Sequence, residues 1–242
     1  MIEAVFISDL HLHPKEPKII EFFFQFIRWA ETNTQSVYIL GDFFHVWPGD
    51  DALDEWSLSI AEQLSMLASK GVQIYFMPGN RDFLLGSVFA RLASMTLLKE
   101  PTVISLGNLN VLLVHGDRYC TKDKSHQWLR RLTRNSFFPK LFLSLPYNLR
   151  AKLVNKVRQH SQENSRKPSS YMDIVVTNML KHMRKHAVNT IIHGHTHKPG
   201  LTTHEHQGEV FRQYVLSDWD DRPFLLCYNR ASGLIFTLFT GK

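Results

Sequence analysis

Five short motifs place metal-competent side chains at intervals along the chain: Asp9-Leu10-His11, Gly41-Asp42, Gly79-Asn80-Arg81-Asp82, His115-Gly116-Asp117 and Gly194-His195-Thr196-His197. Carboxylates, imidazoles and one amide oxygen suit borderline divalent cations such as Mn, Fe, Zn or Co. No thiolate takes part, which argues against a structural zinc cluster. The i, i+2 spacing of Asp9/His11 and of His195/His197 lets two side chains converge from one turning strand end. Glycines beside them allow tight turns where the backbone approaches a cation. A single Gly-Asp is ordinary turn chemistry, and a single histidine is often a hydrogen-bonded core residue. The ordered set is what carries the signal.

Each motif follows a short run rich in Val, Ile and Phe that predicts a buried strand: Ala4–Ser8, Val37–Leu40, Gln73–Met77, Val111–Val114 and Thr190–Ile192. Helices are predicted between them at Pro17–Glu31, Leu53–Ser69 and Leu84–Leu92. That alternation implies an α/β fold, with ligand-handling residues at the carboxyl ends of strands, as open α/β sheets place them. After His197 three more strands are expected, Val210–Leu216, Phe224–Tyr228 and Leu234–Phe239, read as antiparallel neighbours.

The 242 residues and 44% apolar content fit one α/β domain with an insertion. Cys120 and Cys227 are the only cysteines, so a disulfide framework is not expected and a reducing compartment is. The amino terminus has no basic region before its first strand, which predicts no leader peptide and a cytoplasmic protein. The net charge is +6, but it is concentrated: Lys122 to Lys167 holds twelve Lys or Arg against Asp123 and Glu163. That stretch mixes its charge with Phe137, Phe138, Leu141, Phe142, Leu145, Tyr147 and Leu149 and interrupts the strand series. It predicts a helical insertion facing an anionic partner.

The ordered motifs resemble the calcineurin-like metallophosphoesterases from Ile2 to about Gly200. The resemblance implies a four-layer α/β/β/α sandwich, a single domain over 1–242, with residues 122–170 as a helical cap insertion. It also implies two Mn2+ per chain. Asp9, His11, Asp42 and His197 would hold one ion, and Asp42, Asn80, His115 and His195 the other. Asp82 and Asp117 are candidates to fix the histidine tautomers. Many members carry His after the Gly-Asn, where it protonates a leaving alkoxide. Here the residue is Arg81, a poor general acid but a good phosphate clamp. The change suits a leaving group that needs no proton, such as a phosphomonoester.

Other stretches are similar to the UDP-2,3-diacylglucosamine diphosphatase family. They are Ile39-Leu40-Gly41-Asp42-Phe43-Phe44 with Trp47 and Gly49-Asp50-Asp51, Gly79-Asn80-Arg81-Asp82-Phe83-Leu84-Leu85-Gly86, and His193-Gly194-His195-Thr196-His197-Lys198-Pro199. That resemblance implies cleavage of the pyrophosphate by metal-activated hydroxide at the α-phosphorus, with Asp42, Arg81 and His195 catalytic. Substrate would touch Asn80, Arg81, Asp123, Ser161, Asn164, Lys167 and His195. The basic cap would face an anionic membrane surface, peripherally on the cytoplasmic side of an inner membrane. Neither nucleic acid nor an obligate protein partner is expected. The alternative is another dinuclear phosphodiesterase or pyrophosphatase, acting on nucleotide sugars or nucleic acid.

Overall fold

Strand β1 (Ala4–Ile7) divides its side chains between two cores: Val5 and Ile7 face one, Ala4 and Phe6 the other. Strand β6 (Leu109–Leu113) does the same. Val111 and Leu113 join Phe6 in the inner core, and Leu112 points to a third. Strands apolar on both faces need a layer on each side. The computed structural model supplies those layers. It describes residues 1–135, 137–164, 173–220 and 223–241, without the side chains of 155 and 157–164.

The first sheet joins β1 to β2 (Ser36–Ile39), β3 (Gln73–Phe76) and β4 (Met95–Leu97), all parallel. Strands β10 (Phe224–Asn229) and β11 (Gly233–Leu238) extend it antiparallel on the far side of β1, giving the order β11-β10-β1-β2-β3-β4. In the second sheet β6 runs parallel to β7 (Thr190–His193), and β7 to β9 (Glu209–Val215). Strands β5 (Thr102–Leu106) and β8 (Gly200–His206) are its antiparallel edges. Helices α1 (Pro17–Asn33), α2 (Glu55–Ser69) and α3 (Ser87–Leu92) cover the first sheet through Phe23, Phe26, Ile60, Leu64 and Phe89. Helix α7 (Val176–Lys185) covers the second with Met179, Leu180 and Met183. The result is the expected helix/sheet/sheet/helix sandwich. The sheets meet at Phe6, Leu40, Met77, Leu113, Ile192 and Leu226.

Helices α4 (Lys124–Thr133), α5 (Phe138–Leu143) and α6 (Tyr147–Asn164) lie in the predicted basic stretch. Arg150 of α6 is fully buried. It donates to the carbonyls of Leu145 (3.0 Å) and Pro48 (2.5 Å) and pairs with Asp51.

The structure corrects several local expectations. Strand β9 does not neighbour β10: it lies in the other sheet, parallel to β7. Helix α2 starts later than predicted because Asp54 caps it, accepting the Ser57 N–H at 2.8 Å. Helix α3 starts at Ser87 because the Asp50 carboxylate accepts from Gly86, Val88 and Phe89 N–H at 2.9–3.0 Å. Both cysteines are buried, and no disulfide joins them.

Candidate metal centre

The loops after β1, β2, β3, β6 and β7 all open at one end of the two sheets, and they bring seven donor residues together. Asp9, His11 and His197 form one cluster; Asp42, His115 and His195 form another. Asp42 is shared. Its Oδ2 lies 3.4 Å from His11 Nε2 and its Oδ1 lies 3.6 Å from His115 Nε2, so each oxygen faces one cluster. The Asn80 Oδ1 lies 2.9 Å from His115 Nε2 and so joins the second cluster.

The backbone is bent hard to achieve this. Asp9, His11, Asp42, His195 and His197 all have positive φ, between 51° and 70°. Such conformations cost of order 1–3 kcal/mol each and gather at functional sites. Glycines make the loops close enough: Gly41, at φ 88°, sits so near its neighbours that a Cβ would lie 2.5 Å from the Gly79 Cα and 2.6 Å from His115 Nδ1.

Second contacts fix the rings. His115 Nδ1 bonds the Leu40 carbonyl at 2.8 Å, which leaves Nε2 facing Asn80 and Asp42. His197 Nδ1 lies 3.1 Å from Asp218 Oδ2, which turns its Nε2 to Asp9 at 3.5 Å. Asp9 Oδ2 accepts the His195 N–H at 2.8 Å and the Ser8 hydroxyl. Asp82 and Asp117 do not perform the ring-fixing role expected of them. The Asp82 carboxylate is consumed by backbone N–H groups, and Asp117 pairs with Arg130 at 3.1 Å.

The electrostatics fit a cation site. Burial alone would lower the pKa of His115, yet Asp42, Asp9 and Asp117 push it up to about 9. Burial likewise opposes protonation of His197, but Asp218 and Asp9 raise it to about 10. Burial would raise the pKa of Asp42, and His115 and His11 hold it well below the usual range. His195 is pushed down to about 3 by burial and by His115, so its ring is neutral. Asp9 Oδ1 and His11 Nε2 are buried with no hydrogen-bond partner. Buried polar atoms without partners are rare, and a cation between them would satisfy both.

Arg81 stands at the mouth. Its N–H donates to Asp42 Oδ1 (2.9 Å), its Nε lies 3.4 Å from Asp42 Oδ2 and its Nη1 is 3.1 Å from His45 Nδ1. Asp123 caps α4, accepting the His126 N–H at 3.2 Å. Lys167 lies outside the described residues, as do the side chains of Ser161 and Asn164. Sequence reasoning missed Asp218, His45 and His126, whose ring centroid lies 5.5 Å from that of His195. Asp218 lies just past β9, and an acid after a strand was its only signal.

Comparison with known proteins decides the family. The calcineurin-like phosphoesterase model matches residues 3–199. The chain belongs to the calcineurin-like phosphoesterase family. As a calcineurin-like phosphoesterase it is a metal-dependent hydrolase. It is 42% identical to the UDP-2,3-diacylglucosamine hydrolase of Pseudomonas aeruginosa (strain UCBPP-PA14) over 226 residues, 93% of this chain and 94% of that one. It is 42% identical to the protein of that name from Stutzerimonas stutzeri, over 91% of this chain and 92% of its relative. The Aromatoleum aromaticum protein of the same name is 40% identical over 93% of this chain and 92% of its own length.

Proposed function

We propose that the chain hydrolyses UDP-2,3-diacylglucosamine to UMP and 2,3-diacylglucosamine 1-phosphate (lipid X), a step of lipid A synthesis. The observation that carries this reading is the 42% identity to the Pseudomonas aeruginosa hydrolase over 93% of the chain. The geometry supplies chemistry suited to that bond. Asp9, His11, Asp42 and His197 would hold one Mn2+, and Asp42, Asn80, His115 and His195 the second. When bound, such a pair activates water and neutralises phosphoryl charge.

The chain's own residues orient and stabilise. The Arg81 guanidinium lies beside Asp42 and would clamp oxygens of the pyrophosphate. Arginine keeps its proton, so the departing group leaves without one from this residue. A phosphomonoester, with a second pKa near about 6, tolerates that; an alkoxide does not. Neutral His195 would face the charge that builds on the α-phosphoryl oxygens. The water oxygen joins the α-phosphorus and the bond to the bridging oxygen breaks. UMP gains the water oxygen, and the lipid 1-phosphate keeps the bridging one.

Residues 122–170 act in this reading as a helical cap inserted in a single domain. Trp128, Phe137 and Leu141 are 67–79% exposed amid its basic residues. Apolar side chains flanked by cations suit an anionic membrane surface, here the cytoplasmic face of an inner membrane. Among the described residues no helix is long and apolar enough to cross a membrane. Acyl chains held by the cap would contribute about 0.8 kcal/mol per buried CH2. Asp123, Ser161, Asn164 and Lys167 would contact the sugar and its acyl groups. The test is manganese-dependent UMP release from the diacylated substrate, run beside UDP-N-acetylglucosamine and bis(p-nitrophenyl) phosphate. Preference for the diacylated substrate supports the reading. Turnover of the other two alone would remove it.

A further inference from the structure

Helix α4 buries none of its residues fully, yet it is tied to loops at the strand ends. Polar contacts hold it. Arg130 Nη2 donates to Glu100 Oε2 at 2.8 Å, and its Nε lies 3.1 Å from Asp117 Oδ2. One turn on, at the end of the helix, Arg134 Nη2 donates to the carbonyls of Pro78 (2.8 Å) and Gly79 (3.0 Å). These are the two residues immediately before Asn80. The other Glu100 oxygen, Oε1, accepts the backbone N–H of His115 at 3.1 Å.

Two guanidinium groups on one helix face therefore reach two of the four loops that carry the second cluster, those of Asn80 and His115. Arg134 grips the Asn80 loop directly. Arg130 grips the His115 loop twice, through Glu100 at His115 itself and through Asp117 two residues on. The side chains of Asp117 and Glu100 are 0% and 4% exposed. Carboxylates buried this deeply require their cations, because a stranded buried charge costs far more than an exposed one. The planar fork of arginine also fixes direction as well as charge, which lysine does not. The first cluster has no such tether among the described residues: Asp9 and His197 are held by Ser8, the His195 backbone and Asp218.

We infer that Arg130, Arg134 and Glu100 are positioning residues that couple the seating of α4 to assembly of the Asp42, Asn80, His115 and His195 cluster. This rests on the dinuclear reading proposed above. They touch no reacting atom. They set where Asn80 and His115 stand, so the helix that opens the basic segment and the second cation site form together. Outer partners of metal ligands typically change affinity by about 10–100-fold when removed.

The test uses the full chain and Mn2+ alone, with no substrate. Wild type, Arg134→Met, Arg134→Lys and Glu100→Gln are titrated by calorimetry and by electron paramagnetic resonance. Two neighbouring manganese ions give an exchange-coupled spectrum, and a lone ion gives an isolated one. Wild type should bind two ions and show the coupled spectrum. Arg134→Met and Glu100→Gln should weaken one ion by about tenfold or more, leave the other within about twofold, and yield the isolated spectrum at limiting manganese. Arg134→Lys, which keeps one donor for the two carbonyls, should recover part of the loss. Equal weakening of both ions would mean general loosening and would overturn the inference, as would unchanged affinities. A wild type that takes up fewer than two ions would instead overturn the dinuclear reading, and this inference with it.

Discussion

Asp82 lies beneath Asp42 and faces its backbone: Asp82 Oδ1 accepts the Asp42 N–H at 3.3 Å and the Gly79 N–H at 2.7 Å. Its Oδ2 accepts from Phe43 at 2.7 Å and from Phe44 at 3.4 Å. The carboxylate thus binds the Asp42 loop to the Gly79 loop. Asp82→Ala should leave these buried N–H groups without an acceptor, at about 1–3 kcal/mol for each one truly stranded. A loss on the order of 3 kcal/mol is expected in denaturant unfolding of the metal-free chain. Asp82→Asn keeps one oxygen and should lose less. Equal stability of all three proteins would contradict this role.

Asp42 divides its two oxygens between the clusters, so its loss should cost both ions. Asp42→Ala should bind manganese weakly at either site and lose activity by about 1,000-fold or more, the scale on which groups stabilising developing charge act. Asp9→Ala should spare one ion. Metal analysis after gel filtration distinguishes the two variants. Equal metal content would contradict a bridging Asp42.

Arg81 contributes a fork rather than a charge alone. Arg81→Lys keeps the charge but not the bidentate geometry. Its kcat/KM should fall about 10–100-fold, equivalent to about 1.4–2.7 kcal/mol, with manganese content unchanged. Steady-state kinetics beside metal analysis checks this. A parallel loss of metal would reassign Arg81 to holding the site together.

Away from the centre, the Tyr119 hydroxyl bonds His182 Nδ1 at 2.7 Å. Burial, then Arg118, His186 and Lys185, holds His182 down to about 4. Unfolded histidine titrates near about 6.5. Between these values the unfolded chain binds the extra proton, so this stabilisation is complete above pH about 6.5 and is lost as pH falls toward 4. His182 is half-buried, and solvent screening keeps the effect below about 1 kcal/mol. Melting midpoints of wild type and His182→Gln should converge as pH drops from 7.5 to 4.5. Parallel curves would contradict it.

The site was legible because its donors sit in ordered motifs directly after apolar strands, and a strand end fixes where its next residue points. Asp50 and Asp51 read as part of a functional signature, yet Asp50 caps α3 and Asp51 pairs with Arg150. Local sequence does not distinguish a cap from a ligand. Strand β4 has only three residues, and β8 carries Thr203, His204 and Glu205 at an exposed edge, so neither has an apolar period to detect. Asp218 and Glu100 escaped because their partners lie 21 and 15 residues away. Only the sheet topology brings them in.

The most direct measurement is hydrolysis of UDP-2,3-diacylglucosamine with Mn2+ in oxygen-18 water, followed by mass spectrometry of both products. The expected result is one heavy oxygen in UMP, none in 2,3-diacylglucosamine 1-phosphate, and product formation slowed by about 1,000-fold or more in Asp42→Ala. Heavy oxygen in the lipid phosphate would contradict attack at the α-phosphorus. Failure to cleave this substrate while a simple phosphodiester turns over would contradict the proposed function.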